Sequence, residues 1–123
     1  DFIEPVIPET IAKSIAIGNP ADGLNSVNLV NKTNGTGTSV SENEIIQGIR
    51  LLAETEGIFT ETAGGVVIAS LIKLSRHNKL SSEEKTVCLI TGNGLKTPDV
   101  VSNLETLDID SKANNLEEIL SKV

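Results

Sequence analysis

Aromatic side chains are almost missing from this chain. Its 123 residues include no tyrosine, no tryptophan and two phenylalanines, Phe2 and Phe59. Positive charge is also short: ten lysines and arginines stand against 17 aspartates and glutamates, a formal net charge of −7. A nucleic-acid surface needs a basic face and usually stacking rings, so both counts argue against nucleic acid as a partner. No apolar run approaches the roughly 20 residues of a spanning helix, which argues against a membrane. An acidic chain repels anions at long range. Any phosphate it handles must therefore be held by local donors or by another part of the protein.

Cys88 and His77 are the only residues of their kinds. An internal disulfide is excluded, and a zinc site or a cysteine-histidine dyad lacks the ligands it would need. Cys88 stands inside an apolar run, as a small buried thiol would. His77 falls near the end of a helical pattern, where it can complement carbonyls and the helix dipole. The chain has no methionine and begins at Asp1, so it reads as a piece of a longer protein. No basic and apolar leader marks this end, and the cytoplasm is the expected compartment. The length suits one domain or fragment over 1–123, without internal repeats or low-complexity tracts.

The first 20 residues carry Pro5, Pro8 and Pro20 with Ile11, Ile15 and Ile17, and predict a turn or two from Pro8 that Gly18 stops. Asn19 and Pro20 can open a helix whose narrow stripe, Leu24, Val27 and Val30, faces inward until Gly35. Thr36 to Val40 is a short β-prone run. Ser41 and Glu44 then have the spacing of a capping box, with Val40 placed to staple onto Ile45. Ile45, Ile46, Ile49, Leu52 and Ala53 share one face of the helix that follows, and Gly57 supplies its stop. Glu44 is thereby a cap before it is a catalytic acid.

Ile58 and Phe59 are expected to cross the core before Thr60-Glu61-Thr62 opens a helix running to about Asn78. Its apolar residues Val66, Val67, Leu71, Ile72 and Leu74 cover more than one face, which predicts the most buried helix. Gly64 and Gly65 each weaken a helix by about 1 kcal/mol relative to alanine, so something approaches closely there, either packed backbone or a ligand. From the residues alone, Glu61 can be a first-turn carboxylate complementing the dipole. Leu104 to Asp110 partly alternates as an edge strand would, and Asn115 with Glu118 can cap a last helix.

The remaining stretch organises the rest. Lys85-Thr-Val-Cys-Leu-Ile-Thr-Gly-Asn-Gly-Leu-Lys96 is an apolar run that stops at a hydroxyl, two glycines and an amide. Such a run predicts an interior parallel strand over Thr86 to Thr91, buried on both faces between the helices near 42–56 and 63–78. The fold class is then α/β: the C-terminal portion of a parallel-sheet three-layer fold with helices flanking a buried strand. Ligands of open α/β sheets sit at the carboxyl ends of strands, which is where Thr91, Gly92, Asn93 and Gly94 fall. A tight turn leaving a core strand accounts for the same residues.

Three stretches together carry a resemblance. Cys88-Leu-Ile-Thr-Gly-Asn-Gly-Leu-Lys96 resembles the threonine synthase version of a strand-end motif in the tryptophan-synthase-β-like (fold type II) family of pyridoxal phosphate enzymes. Glu61-Thr-Ala-Gly-Gly65 is similar to that family's Glu-Pro-Ala-Gly-Ala helix start. Pro8-Glu-Thr-Ile-Ala-Lys-Ser-Ile15, with Ile17-Gly-Asn-Pro20, resembles a segment beside the cofactor ring. Order and spacing fit, and the likeness, to the C-terminal part of such an enzyme, covers nearly the whole chain.

The resemblance implies pyridoxal phosphate as cofactor, O-phosphohomoserine as small-molecule substrate, and a homodimer completed by a missing N-terminal part. It implies conversion of O-phosphohomoserine and water to threonine and phosphate. Thr91 matches the hydroxyl that hydrogen-bonds the pyridine nitrogen, Glu61 the carboxylate near the ring, and Ile11, Ala12 and Lys13 the flanking segment. The Schiff-base lysine, the asparagine beside the ring hydroxyl and the glycine-rich phosphate loop precede this region in the family. None occurs here, and Lys13 and Lys96 match no Schiff-base position, so no catalytic residue is assigned and the chain alone is expected to be inactive. Thr62 replaces the usual proline, Gly65 the usual alanine, and Asn93 a common histidine. A serine or threonine dehydratase would usually read Ser-Gly-Gly-Asn at the strand end. The other alternative is a regulatory or oligomerisation module that kept the fold and lost the chemistry.

Overall fold

The computed structural model describes residues 2–102, and three α-helices form its frame: α1 (Gly23–Lys32), α2 (Glu42–Glu56) and α3 (Thr62–Arg76). Single 3₁₀ turns lie at Lys13–Ile15, Gly94–Lys96 and Pro98–Val100. The capping box forms as expected. The Ser41 N–H donates to Glu44 Oε2 at 2.6 Å and the Glu44 N–H to Ser41 Oγ at 3.4 Å, so each residue satisfies the other's open donor. At the far end Gly57 takes the left-handed conformation, φ 68°, that stops a helix cheaply only without a β-carbon.

Helices α2 and α3 pack antiparallel through a five-residue connection. Lys73, late in α3, donates to the Ser39 carbonyl before α2 at 2.7 Å, while Gly65, early in α3, meets the middle of α2. At the crossing there is no room for side chains. A β-carbon on Gly48 would stand 2.6 Å from the Gly65 carbonyl oxygen, and one on Gly65 would stand 2.7 Å from the Ile45 carbonyl oxygen. The close approach expected from the glycines is thus helix backbone for Gly65 and the Thr60 side chain for Gly64. Every residue of α3 from Thr62 to Leu74 is at least half buried, which makes it the most covered helix, as its sequence predicts. Ala12, Ile45 and Ile49 form the buried cluster, with Ile11, Val40, Val66, Val100 and Val101 packed around it.

Several expectations are corrected. No strand occurs among the described residues, and the interior strand expected at Thr86 to Thr91 is an extended segment without a ladder. Val87 and Leu89 are 74% and 71% exposed, whereas Cys88 and Ile90 are half buried. An apolar run becomes an interior strand only when neighbouring strands take its backbone groups, and no described segment does so. The stripe of α1 does not face inward among the described residues, where Leu24, Val27 and Val30 are exposed. Ile58 and Phe59 lie at the surface instead of crossing the core. The turn expected from Pro8 forms later, at Lys13–Ile15, and Thr36 to Val40 is irregular. The edge strand at 104–110 and the last helix near 115–123 fall outside the described residues.

Two outcomes follow from this frame. Gly48→Ala adds a β-carbon against fixed backbone, so overpacking of about 1–3 kcal/mol outweighs the roughly 1 kcal/mol of helix propensity gained. Thermal unfolding should show a lower midpoint; an unchanged or higher one would mean that the helices do not touch at Gly48. The second concerns pH. The Ser41 N–H, and after it the Ser41 hydroxyl, hold the Glu44 carboxyl below its ordinary value. A lowered carboxylate contributes stability above the unfolded pKa, about 4.3, and that contribution disappears as pH falls through the folded value. The midpoint gap between the unmodified chain and Glu44→Gln should be open at pH 7 and narrow as pH falls below the unfolded value.

Candidate functional site

The extended segment returns to the frame at its polar end. The Glu61 N–H donates to the Gly92 carbonyl at 3.1 Å, the Gly94 N–H to the Phe59 carbonyl at 3.0 Å, and the Thr60 hydroxyl to the Gly92 carbonyl at 3.0 Å. These bonds, with an isolated antiparallel bridge between Thr60 and Asn93, pin residues 92–94 to the start of α3. Both glycines lie directly against side chains that a β-carbon would displace. A β-carbon on Gly92 would overlap the Glu61 carboxylate, and one on Gly94 would strike the Phe59 ring. Asn93 accepts from the Leu95 N–H at 2.9 Å through Oδ1 and so opens the turn at Gly94–Lys96.

Glu61 is the N-cap residue of α3, yet its side chain makes no capping bond. It is buried, 7% exposed, and accepts from Lys96 Nζ at 3.3 Å. Its place at the helix N-terminus still suits a carboxylate that complements the dipole, and the pairing with Lys96 comes in addition. Lys96, to which sequence reasoning gave no role, is the group it missed. Its contact with Glu61 spans 35 residues, so no local sequence pattern signals it. Thr60 and Thr62 are buried beside Glu61, and the Thr62 hydroxyl has no hydrogen-bond partner among the described residues.

Thr91 is exposed at the end of the extended run, and its hydroxyl makes no hydrogen bond among the described residues. Its neighbour Gly92 touches Glu61, so the two motif stretches meet. The third packs on the same frame, its turn at Lys13–Ile15 against α3. The Ile11 N–H donates to Glu42 Oε2 at 2.9 Å, which ties the segment to the first turn of α2; Ala12 is buried in the core cluster and Lys13 is exposed. No hydrogen bond or ion pair joins Ile11, Ala12 or Lys13 to Glu61 or Thr91 among the described residues.

A cleft of about 290 Å³ at the opposite end of α3 includes Glu44, Lys73, Arg76 and His77. Lys73 there is held by the Ser39 carbonyl and stands 4.0 Å from Glu44. It is about 20 Å along the helix from Glu61 at 1.5 Å per residue, so it is separate from the site above. No group of His, Cys, Asp and Glu that could hold a metal ion occurs among the described residues, and no described helix is long and apolar enough to cross a membrane.

Comparison with known proteins supplies the class. Residues 2–92 match the model of a family described as pyridoxal-phosphate dependent enzymes. The chain belongs to that pyridoxal-phosphate-dependent family, of which the strand-end, Glu61 and Pro8 stretches carried the resemblance. Within it, a threonine synthase of Bacillus sp. (strain ULM1) is 42% identical over 112 residues, covering 91% of this chain and 32% of that protein. A threonine synthase of Methanocaldococcus jannaschii is 37% identical over 125 residues, 100% of this chain and 31% of that protein. One from Mycobacterium tuberculosis (strain H37Rv) is 40% identical over 97 residues, 78% of this chain and 27% of that protein. The chain spans about a third of the length of the curated relatives it matches. The likeness to threonine synthases stands, with the family's dependence on pyridoxal phosphate.

The contact of Gly92 with Glu61 is open to a direct check. Gly92→Ala must push the carboxylate off its place, an overpacking cost of about 1–3 kcal/mol. Amide exchange at Glu61 and Gly94 should accelerate while the amides of α2 keep their protection. Unchanged exchange at both would mean that residues 92–94 do not pack on the start of α3.

Proposed function

We propose that this chain is the cofactor-ring side of a threonine synthase that converts O-phospho-L-homoserine and water to L-threonine and phosphate. The observation that carries the reading is the pinning of Gly92–Gly94 to residues 59–61, which sets Gly92, the residue after the exposed Thr91, against a buried carboxylate. The donor set suits the ring end of pyridoxal phosphate. Thr91 offers an uncommitted neutral hydroxyl for the pyridine nitrogen, and Glu61 a fixed carboxylate near the ring. It does not suit the phosphate end, since neither a glycine-rich phosphate loop nor an assigned amine-bearing lysine is present.

Bound pyridoxal phosphate supplies an electron sink for the amino-acid substrate. This chain's part is to orient the ring. A neutral hydroxyl hydrogen-bonds the ring nitrogen without holding a proton on it, which moderates the sink compared with a carboxylate partner. Ile11, Ala12 and Lys13, tied to α2 by Glu42, would flank the ring once the remainder of the enzyme closes the site. That remainder would bring the lysine and the phosphate cradle, and strands alongside residues 86–91. The exposed Val87 and Leu89 support this completed parallel sheet, because they leave one face of the run uncovered. Assembly as a homodimer in the cytoplasm belongs to the same reading.

The test is Thr91→Val in the full-length enzyme, which keeps the shape of the side chain and removes its hydrogen bond. A buried acceptor left without its donor costs about 1–3 kcal/mol. Affinity for pyridoxal phosphate should therefore fall roughly tenfold or more, with turnover falling and the folding midpoint nearly constant. Unchanged affinity and turnover would mean that Thr91 is only the end of an extended segment, and the site assignment would be lost.

A further inference from the structure

Glu61 is the one charged side chain buried among the described residues, and two neighbours confine it. On one side lies Gly92, with no space for even a methyl group between its backbone and the carboxylate. Lys96 Nζ donates to the carboxylate's Oε1, the oxygen nearest Gly92, at 3.3 Å. Burial is unequal across this pair: the glutamate side chain is 7% exposed and the lysine side chain 62%. A buried carboxylate without a partner is costly, so this single contact bears on where Glu61 is held. No other basic side chain forms an ion pair with it among the described residues.

Thr91 precedes the glycine on which this carboxylate rests. On the site reading above Glu61 lies near the ring, and without a counter-charge its negative charge would favour a proton on the ring nitrogen, against the neutral hydroxyl. We propose that Lys96 is a positioning residue that prevents this: by neutralising and fixing Glu61 it leaves the neutral Thr91 hydroxyl as the only partner of the ring nitrogen. The inference rests on the site reading above and adds a determinant of the ring's protonation state that the motif positions do not include. It also accounts for the turn at Gly94–Lys96, since that turn is what brings the lysine back over residues 59–61.

The experiment uses the full-length enzyme loaded with pyridoxal phosphate labelled with nitrogen-15 in the ring, whose resonance reports protonation without turnover. Lys96→Met keeps the aliphatic stem and removes the charge. It should raise the ratio of protonated to neutral ring nitrogen on the order of tenfold, as expected when a nearby carboxylate loses its counter-charge. Lys96→Arg should restore the parent resonance, and the double variant Lys96→Met, Glu61→Gln should revert toward it. A parent resonance in Lys96→Met, or a double variant identical to Lys96→Met, overturns the proposal. Cofactor affinity of Thr91→Val separates the two readings. If that affinity falls while Lys96→Met leaves the resonance unmoved, the role of Lys96 fails alone; if Thr91→Val is also silent, the site reading fails with it.

Discussion

The contact on which the rest depends is the crossing of two helix backbones at Gly48 and Gly65. Helices that meet through side chains stand 8–10 Å apart or so; these meet backbone to side chain-free backbone, with carbonyl oxygens where β-carbons would lie. Such proximity fixes the direction of α3, and the start of α3 in turn carries Thr60 and Glu61. Residues 92–94 then find their place by hydrogen-bonding to 59–61 rather than by any sheet. The candidate site is therefore two contacts removed from a helix crossing. Its geometry is set by a pair of glycines with no chemistry of their own.

Local features of this arrangement were legible in the sequence. The Ser41–Glu44 box, the apolar face of α2, its stop at Gly57 and the extent of α3 depend on residues three or four apart, and they formed where the spacing placed them. The resemblance added that Glu61 and the glycines after Thr91 belong to one neighbourhood, and the hydrogen bonds between residues 59–61 and 92–94 join them. What spacing could not supply was the partner of each apolar surface. Thr86 to Thr91 has the composition of an interior strand, but composition states only that burial would be favourable, not what covers the run. The stripe of α1 shows the same limit at Leu24, Val27 and Val30. Lys96 escaped notice for a related reason: its contact with Glu61 spans 35 residues of sequence, beyond the reach of any local pattern.

Charge decides how the site can work. The chain carries a net −7, and a buried carboxylate adds to that excess. Burial changes the matter, because a surface charge is screened within about 10 Å at ordinary ionic strength while a buried one is not. Glu61 therefore weighs more at this position than the many exposed acids, and its single lysine matters correspondingly. Glu44 makes the contrast. Its carboxylate is also hydrogen-bonded and also near a lysine, but it sits at an open helix start where water can replace either partner, and its work is done once α2 begins. The same kind of side chain thus closes a helix in one place and is buried against a lysine in the other, and the difference lies in the glycine packed against it.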